Sequence, residues 1–308
     1  MKAVVAAMLL ALCVVSPVAA GEPTGPPDTA DDTYIPPRTP AQAAFEQSKL
    51  AFVAQLKAYS RGAMAKAQLD SATTSMLCSA DCGDGGGDVD PDVPVDGSAS
   101  TSGTTGFTPP SQRSVLDVRA RRQSTNYWCG PASGQVVINF SRGYVFDSLN
   151  GDSPATNWRT QATIAVWMKT AQSTGSLGGN MAAALNRPDA VRKPVPEWSY
   201  LYARNADGED MHGKVVANVH QFSMPVLIAI RPHKADAEYF LPSWPKEALG
   251  AKHWVVIYGY DGLWDGTTDP VLYYTESSGN GSKNPGQYVV SSLTMWKVNQ
   301  YNASTIIW

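Results

Sequence analysis

No segment of this chain is apolar for long enough to span a bilayer comfortably. The longest run, residues 3–15, falls short of the roughly 20 residues a membrane helix needs. Basic surplus is missing too. The 24 Lys and Arg against 27 Asp and Glu leave a formal net charge of -3, which argues against nucleic acid or acidic membranes as partners. Cysteine and histidine are scarce, four of each in 308 residues. Cys78 and Cys82 are close neighbours, yet no second pair or histidine cluster follows to complete a zinc site. The spaced Asp88, Asp90, Asp92 and Asp96 lack the glycine, the terminal glutamate and the flanking helices of an EF-hand. There is no internal repeat and no phosphate-binding glycine fingerprint. Neither a metal nor another cofactor is expected.

What is present begins with an export pattern. Lys2 supplies a positive start, residues 3–15 an apolar stretch, and Val18, Ala19 and Ala20 small residues before Gly21, so residues 1–20 read as a secretory signal peptide. Cys13 opens a lipoprotein alternative, for which Leu12 is a poor preceding residue. Export predicts an extracellular or cell-envelope location with no membrane attachment after cleavage. It also changes the cysteine arithmetic: Cys78 and Cys82 are spaced to close a small disulfide loop, and Cys129 is left as the odd thiol of an oxidising compartment. Such a thiol is either reactive or an intermolecular partner.

Residues 21–112 divide into three parts. Residues 21–39, rich in Pro, Asp and Thr, show no apolar period and are expected to be disordered. Residues 41–69 carry Phe45, Leu50, Phe52, Val53, Leu56 and Tyr59 at helical spacing. One amphipathic helix is predicted, kinked or ended near Gly62, and it must pack on something. It is either a propeptide covering a cleft or a stalk or docking helix. Residues 81–110, with their Gly, Asp, Ser, Thr and Pro, form a solvated linker.

From residue 113 to 308 the composition is that of one folded domain, about 190 residues and enough for one core. Helices are predicted over 129–140, 158–170, 180–185 and 215–222, and strands over 225–230, 253–260, 271–275 and 287–290. Helices first and strands afterwards imply an α+β fold with a mostly antiparallel sheet.

The chemistry concentrates at Gln123 and at Tyr127-Trp128-Cys129-Gly130-Pro131-Ala132-Ser133. A neutral thiol is a weak nucleophile, and a helix N-terminus favours its anion. Pro131 fits a first turn, and Gly130 would let a substrate backbone approach the sulfur. An imidazole is the second requirement. His212 falls in a Gly/Asp stretch and His233 follows Pro232, both reading as solvated loop residues; His220 lies mid-helix. His253 alone opens a strongly apolar strand, where a rigid backbone would aim its ring. Gln123 is a candidate second oxyanion donor beside the Cys129 N–H if the intervening turn folds back.

Gln123, the Cys129 motif and the run His253-Trp254-Val255-Val256-Ile257-Tyr258-Gly259-Tyr260-Asp261 resemble the papain-like cysteine peptidases of the C39-like family, most closely its secreted, stand-alone bacterial members. The resemblance extends to Gln161-Ala162-Thr163-Ile164-Ala165, to Ala184-Leu185-Asn186 and to Pro225-Val226-Leu227-Ile228. It implies a papain-like fold and a secreted, monomeric enzyme that hydrolyses peptide or protein substrates through an acyl-thioester. Cys129 would be the nucleophile, His253 the base and acid, and Gln123 part of the oxyanion hole. The family usually orients its histidine with an Asp or Asn on the next strand; here Glu276 stands at the best-matching place, with Asp261 as runner-up. Two other readings stay open: an acyl transferase on the same fold, transglutaminase-like or transpeptidase, and a non-catalytic binding module.

Overall fold

The computed structural model describes residues 38–63, 68, 112–144, 152–196, 198–232, 239–244, 251–278 and 285–308. The expected signal peptide, the pair Cys78 and Cys82, the acidic linker and His233 lie outside them. Helix α1 (Pro40–Ser60) precedes the linker, and a short strand β1 (Arg113–Val115) follows it. Three helices come next: α2 (Cys129–Ser141), α3 (Gln161–Trp167) and α4 (Gly178–Leu185). Then come β2 (Tyr202–Arg204), α5 (Gly208–Val216) with a π-helical extension over Ala217–Gln221, and β3 (Val226–Ile230). The chain ends with β4 (His253–Asp261), β5 (Val271–Glu276), β6 (Gly286–Ser291), α6 (Ser292–Gln300) and β7 (Thr305–Ile307).

All described strand pairs are antiparallel, in the order β2-β7-β3-β4-β5-β6, with β1 pairing the second half of β4. The expected α+β class, helical part first and antiparallel sheet afterwards, is what the molecule adopts. Side chains alternate across the sheet. Val226, Ile228, Ile230, Val255 and Ile257 share a core with Met211 and Val215 of α5 and Met295 and Val298 of α6. Leu227, Ala229, Trp254 and Val256 join the opposite core with Val136 and Val137 of α2, Ile164 of α3 and Met181 of α4. The sheet is therefore covered on both faces, which explains why β3 and most of β4 are buried continuously and read as unbroken apolar runs.

The N-terminal helix ends at Ser60, close to the end expected near Gly62, capped by Arg61 and followed by Gly62 at a φ of 70°. Its start is specified locally: Thr39 and Gln42 form a reciprocal capping box, with Pro40 in the first turn. Phe52, Val53 and Leu56 sit in the same core as β3 and β4, so the helix packs, as its apolar face requires, on the sheet that follows the linker. Lys49 is wholly buried. Its Nζ donates to Asn218 Oδ1 at 2.9 Å and lies 4.4 Å from the Trp308 ring and 5.3 Å from that of Trp198. Burial holds its pKa well below the usual lysine value.

His212 corrects an expectation. Asp207 caps α5 by accepting from the Asp210 N–H, which turns the apparent loop into a helix start and carries His212 inside. The ring is 2% exposed; its Nε2 donates to the Gly262 carbonyl at 3.2 Å and its Nδ1 accepts from Ser292 Oγ at 2.9 Å. Burial, only partly opposed by the Gly262 carbonyl and Asp269, lowers its pKa to about 4. Four short or weakly patterned elements, β1, β2, α6 and β7, carry no sequence expectation at all.

Candidate active site

Cys129 is the first residue of α2, a free thiol that is 8% exposed. The helix opens after Trp128, with the Ala132 N–H bonded to the Trp128 carbonyl at 2.9 Å. No side chain caps this end, so the first-turn N–H groups and the helix dipole act on whatever lies at Cys129. Pro131 lies in that first turn, where its missing N–H costs nothing. One turn along, Ser133 donates from Oγ to the carbonyl of Trp254 at 3.1 Å, which ties α2 to the residue after His253. Gly130 also has a reason within the fold that the sequence did not announce. A Cβ at this position would collide with the Ser176 side chain, so the close approach is by the protein's own loop. That loop is held by Trp254, whose Nε1 donates to the Ser176 carbonyl at 3.0 Å. Cys129, Gly175, Ser176, Leu177, His253 and Trp254 border one cleft.

The register of the sheet delivers the second and third groups. Glu276 lies one step beyond the Val256–Thr275 pair, opposite Val255, and His253 is two residues along on the same face. Diagonal neighbours of that kind are about 7–8 Å apart at the backbone, a gap that a glutamate side chain spans. His253 Nε2 donates to Glu276 Oε1 at 2.6 Å, with the two side chains 4% and 1% exposed. Cys129 borders the same cleft as His253, and its sulfur acts on the imidazole. Glu276 is itself held: Oε1 accepts from the Ser278 N–H at 2.7 Å, and Oε2 from Ser243 Oγ at 3.3 Å. Trp244 covers the pair, its ring 4.5 Å from that of His253.

Two opposing effects set the charge of this histidine. Burial is the largest and disfavours the imidazolium. The Glu276 carboxylate and the Cys129 sulfur together outweigh it, and the pKa rises from 6.5 to about 10. The imidazolium is thus the favoured form at neutral pH, flanked by the Glu276 carboxylate and the Cys129 sulfur.

Gln123 is docked beside the strand that carries Glu276, its N–H donating to the Ser277 carbonyl at 2.9 Å. Its amide Oε1 accepts from Ser277 Oγ at 3.4 Å and its Nε2 donates to the Thr125 carbonyl at 2.8 Å. The turn before α2 folds back, as the Trp128 N–H bond to that same carbonyl shows. Asp261 is not brought there. It ends β4 eight residues from His253, about 26 Å along the strand, and faces Arg113 at 3.8 Å on the surface. Among the described residues no group of three or more His, Cys, Asp or Glu is arranged to hold a metal ion. Sequence reasoning missed Trp244, Ser243 and Ser176. A tryptophan between two strands carries no positional signal, and serines in loops carry less.

With the site described, comparison adds the following. A model of the Peptidase_C39 like family matches residues 115–298, a span that contains Gln123, Cys129, His253 and Glu276. Among solved structures, a recombinant stem bromelain precursor is 12% identical, with a TM-score of 0.39, covering 64% of this chain and 70% of that one. A bromelain protease from Ananas comosus in complex with the E64 inhibitor is 14% identical, with a TM-score of 0.36, covering 64% and 98%. Likeness at that level carries no weight of its own. No curated protein matches significantly. The family match spans more than half of the chain, and this protein belongs to the Peptidase_C39 like family.

Proposed function

We propose that this protein is an exported cysteine peptidase that hydrolyses peptide bonds through an acyl-thioester on Cys129. The observation that supports it most is the His253 imidazole, bonded to Glu276 at 2.6 Å and bordering one cleft with Cys129 at the start of α2. In this reading Cys129 attacks the scissile carbonyl as a thiolate, forming an S–C bond while the carbonyl electrons move onto oxygen. The Cys129 N–H and the second amide hydrogen of Gln123 donate to that oxyanion. Collapse of the tetrahedral intermediate breaks the C–N bond, and the His253 imidazolium gives its proton to the leaving amine. His253 then takes a proton from water, whose oxygen attacks the thioester, and the sulfur leaves to regenerate the pair. Glu276 holds the imidazole in the orientation both steps need. No cofactor is required.

Export rests on the charge, the apolar stretch and the small residues of residues 1–20. For the N-terminal helix the docking role is preferred over the cover, since no described residue of α1 borders the cleft at Cys129. Peptides or proteins are the substrates.

The test is incubation of the purified protein with a mixed peptide library, followed by mass spectrometry of new termini. Cleavage is expected, and alkylation of Cys129 beforehand is expected to remove it. Ligated or amine-tagged products in place of free termini would make the protein an acyl transferase. Intact peptides throughout would leave only the binding module.

A further inference from the structure

Behind the site lies a buried polar cluster that the proposed chemistry does not use. Gln161, the first residue of α3, is 1% exposed although it is an amide. Every polar atom of its side chain is bonded. Oε1 accepts from the Ser124 N–H at 2.9 Å, and Nε2 donates to the Arg122 carbonyl at 2.8 Å. These are the backbone groups on either side of Gln123, so one side chain pins the chain before and after that residue. The same Nε2 donates to Oε1 of Gln135 at 3.1 Å, and Gln135 is six residues beyond Cys129 on α2. Gln135 is fully buried, and Asp152 Oδ1 accepts both its Nε2 at 2.7 Å and the Gln161 backbone N–H at 2.6 Å.

We infer that Gln161 is a positioning residue for the oxyanion site. The inference rests on the proposed peptidase reading. In that reading the two donors come from different segments, the Cys129 N–H from α2 and the Gln123 amide from the loop before it. Gln161 is bonded to both segments, to the loop directly and to α2 through Gln135. It touches neither Cys129 nor substrate. A purely structural amide would have no reason to grip the two peptide groups that flank the donor. Oxyanion stabilisation depends steeply on geometry, since a donor lost costs about 10²–10³-fold in kcat and a 1 Å misplacement about 10²-fold.

The test uses the full chain, a peptide cleaved by the wild type, and 2,2′-dithiodipyridine, a thiol reagent with no carbonyl and hence no need of the oxyanion site. Gln161→Ala is expected to lower kcat on the order of 10- to 100-fold with little change in KM, while the pH profile of its reaction with dithiodipyridine stays that of the wild type. The loss is expected to be largely absent when Gln123 is already Ala, because the donor it positions is gone. Rates are referred to folded protein by thiol titration. If Gln161→Ala does not fold, Gln161→Glu is read in its place. It keeps the acceptor for the Ser124 N–H and loses the donor to the Arg122 carbonyl, and a smaller loss of the same pattern is expected. Unchanged kcat, or a loss that multiplies fully with that of Gln123→Ala, would overturn the inference. So would a parallel fall in dithiodipyridine reactivity, which would make Gln161 a support of the whole site. A wild type that cleaves nothing would instead remove the peptidase reading and this role with it.

Discussion

Replacing Cys129 by Ala is expected to reduce peptide hydrolysis by on the order of 10⁵–10⁶-fold, to background, while leaving the melting curve close to that of the wild type. The two halves of this result have separate causes. The nucleophile supplies the only atom on which an acyl group is held, so nothing in the cleft replaces it. The fold, by contrast, owes little to the sulfur. Cys129 stands at the end of α2, and the anchoring of that helix comes from Val136, Val137 and Ile138 in the core and from the Ser133 bond to Trp254. Loss of one sulfur atom at the edge of that packing is worth about 1 kcal/mol. Hydrolysis assays with differential scanning calorimetry decide the matter. Retained hydrolysis would remove Cys129 from the chemistry, and a collapsed melting transition would make it a packing residue.

Glu276→Gln is expected to lower kcat/KM by on the order of 10²–10⁴-fold and to move the alkaline limb of activity to lower pH. The amide keeps an oxygen for the His253 N–H but removes the charge. That charge is the chief influence raising the histidine pKa to about 10 against the opposing effect of burial. Without it the imidazolium loses its proton at lower pH, and the leaving amine loses its acid. Stability carries the same signature with a definite sign. A histidine whose folded pKa is raised from 6.5 to about 10 contributes stability that is complete below about pH 6.5 and disappears as pH rises through 10. The stability advantage of the wild type over Glu276→Gln is therefore expected to shrink between pH 7 and 10, measured by urea unfolding. An advantage independent of pH would mean that His253 is not charged by its neighbour.

Residues adjacent in sequence, or on long regular elements, were the legible ones. The Cys129 helix was readable because Gly130 and Pro131 mark its first turn and Gly143 lies just beyond its end. β4 was readable because both its faces are buried, giving an unbroken apolar run. Glu276 was legible through the family resemblance, which puts the partner of the histidine on the next strand, and the pairing of β4 with β5 brings that strand alongside. Features that depend on distant segments were not legible. The grip of Gln161 on Arg122 and Ser124 joins segments 37 to 39 residues apart, and a glutamine opening a helix gives no sign of it. The same applies to β2 and β7, three residues each, which pair across about a hundred positions. His212 shows the opposite failure: local Gly and Asp spelled a loop, while the Asp207 cap and the surrounding core made a buried helix. The need for Gly130 beside Ser176 was equally hidden, because Ser176 arrives from a loop 46 residues away.

The central claim is that His253, charged and held by Glu276, makes Cys129 a reactive thiolate. The most direct measurement is the rate of Cys129 alkylation by iodoacetamide between pH 5 and 9, in the wild type and in His253→Ala. The wild type is expected to react at pH 6 many times faster than a model thiol, which is mostly protonated there with a pKa of about 8.5. His253→Ala is expected to lose that excess and to follow the ordinary thiol profile. A wild-type rate no greater than that of the model thiol at every pH, unchanged by His253→Ala, would contradict the account.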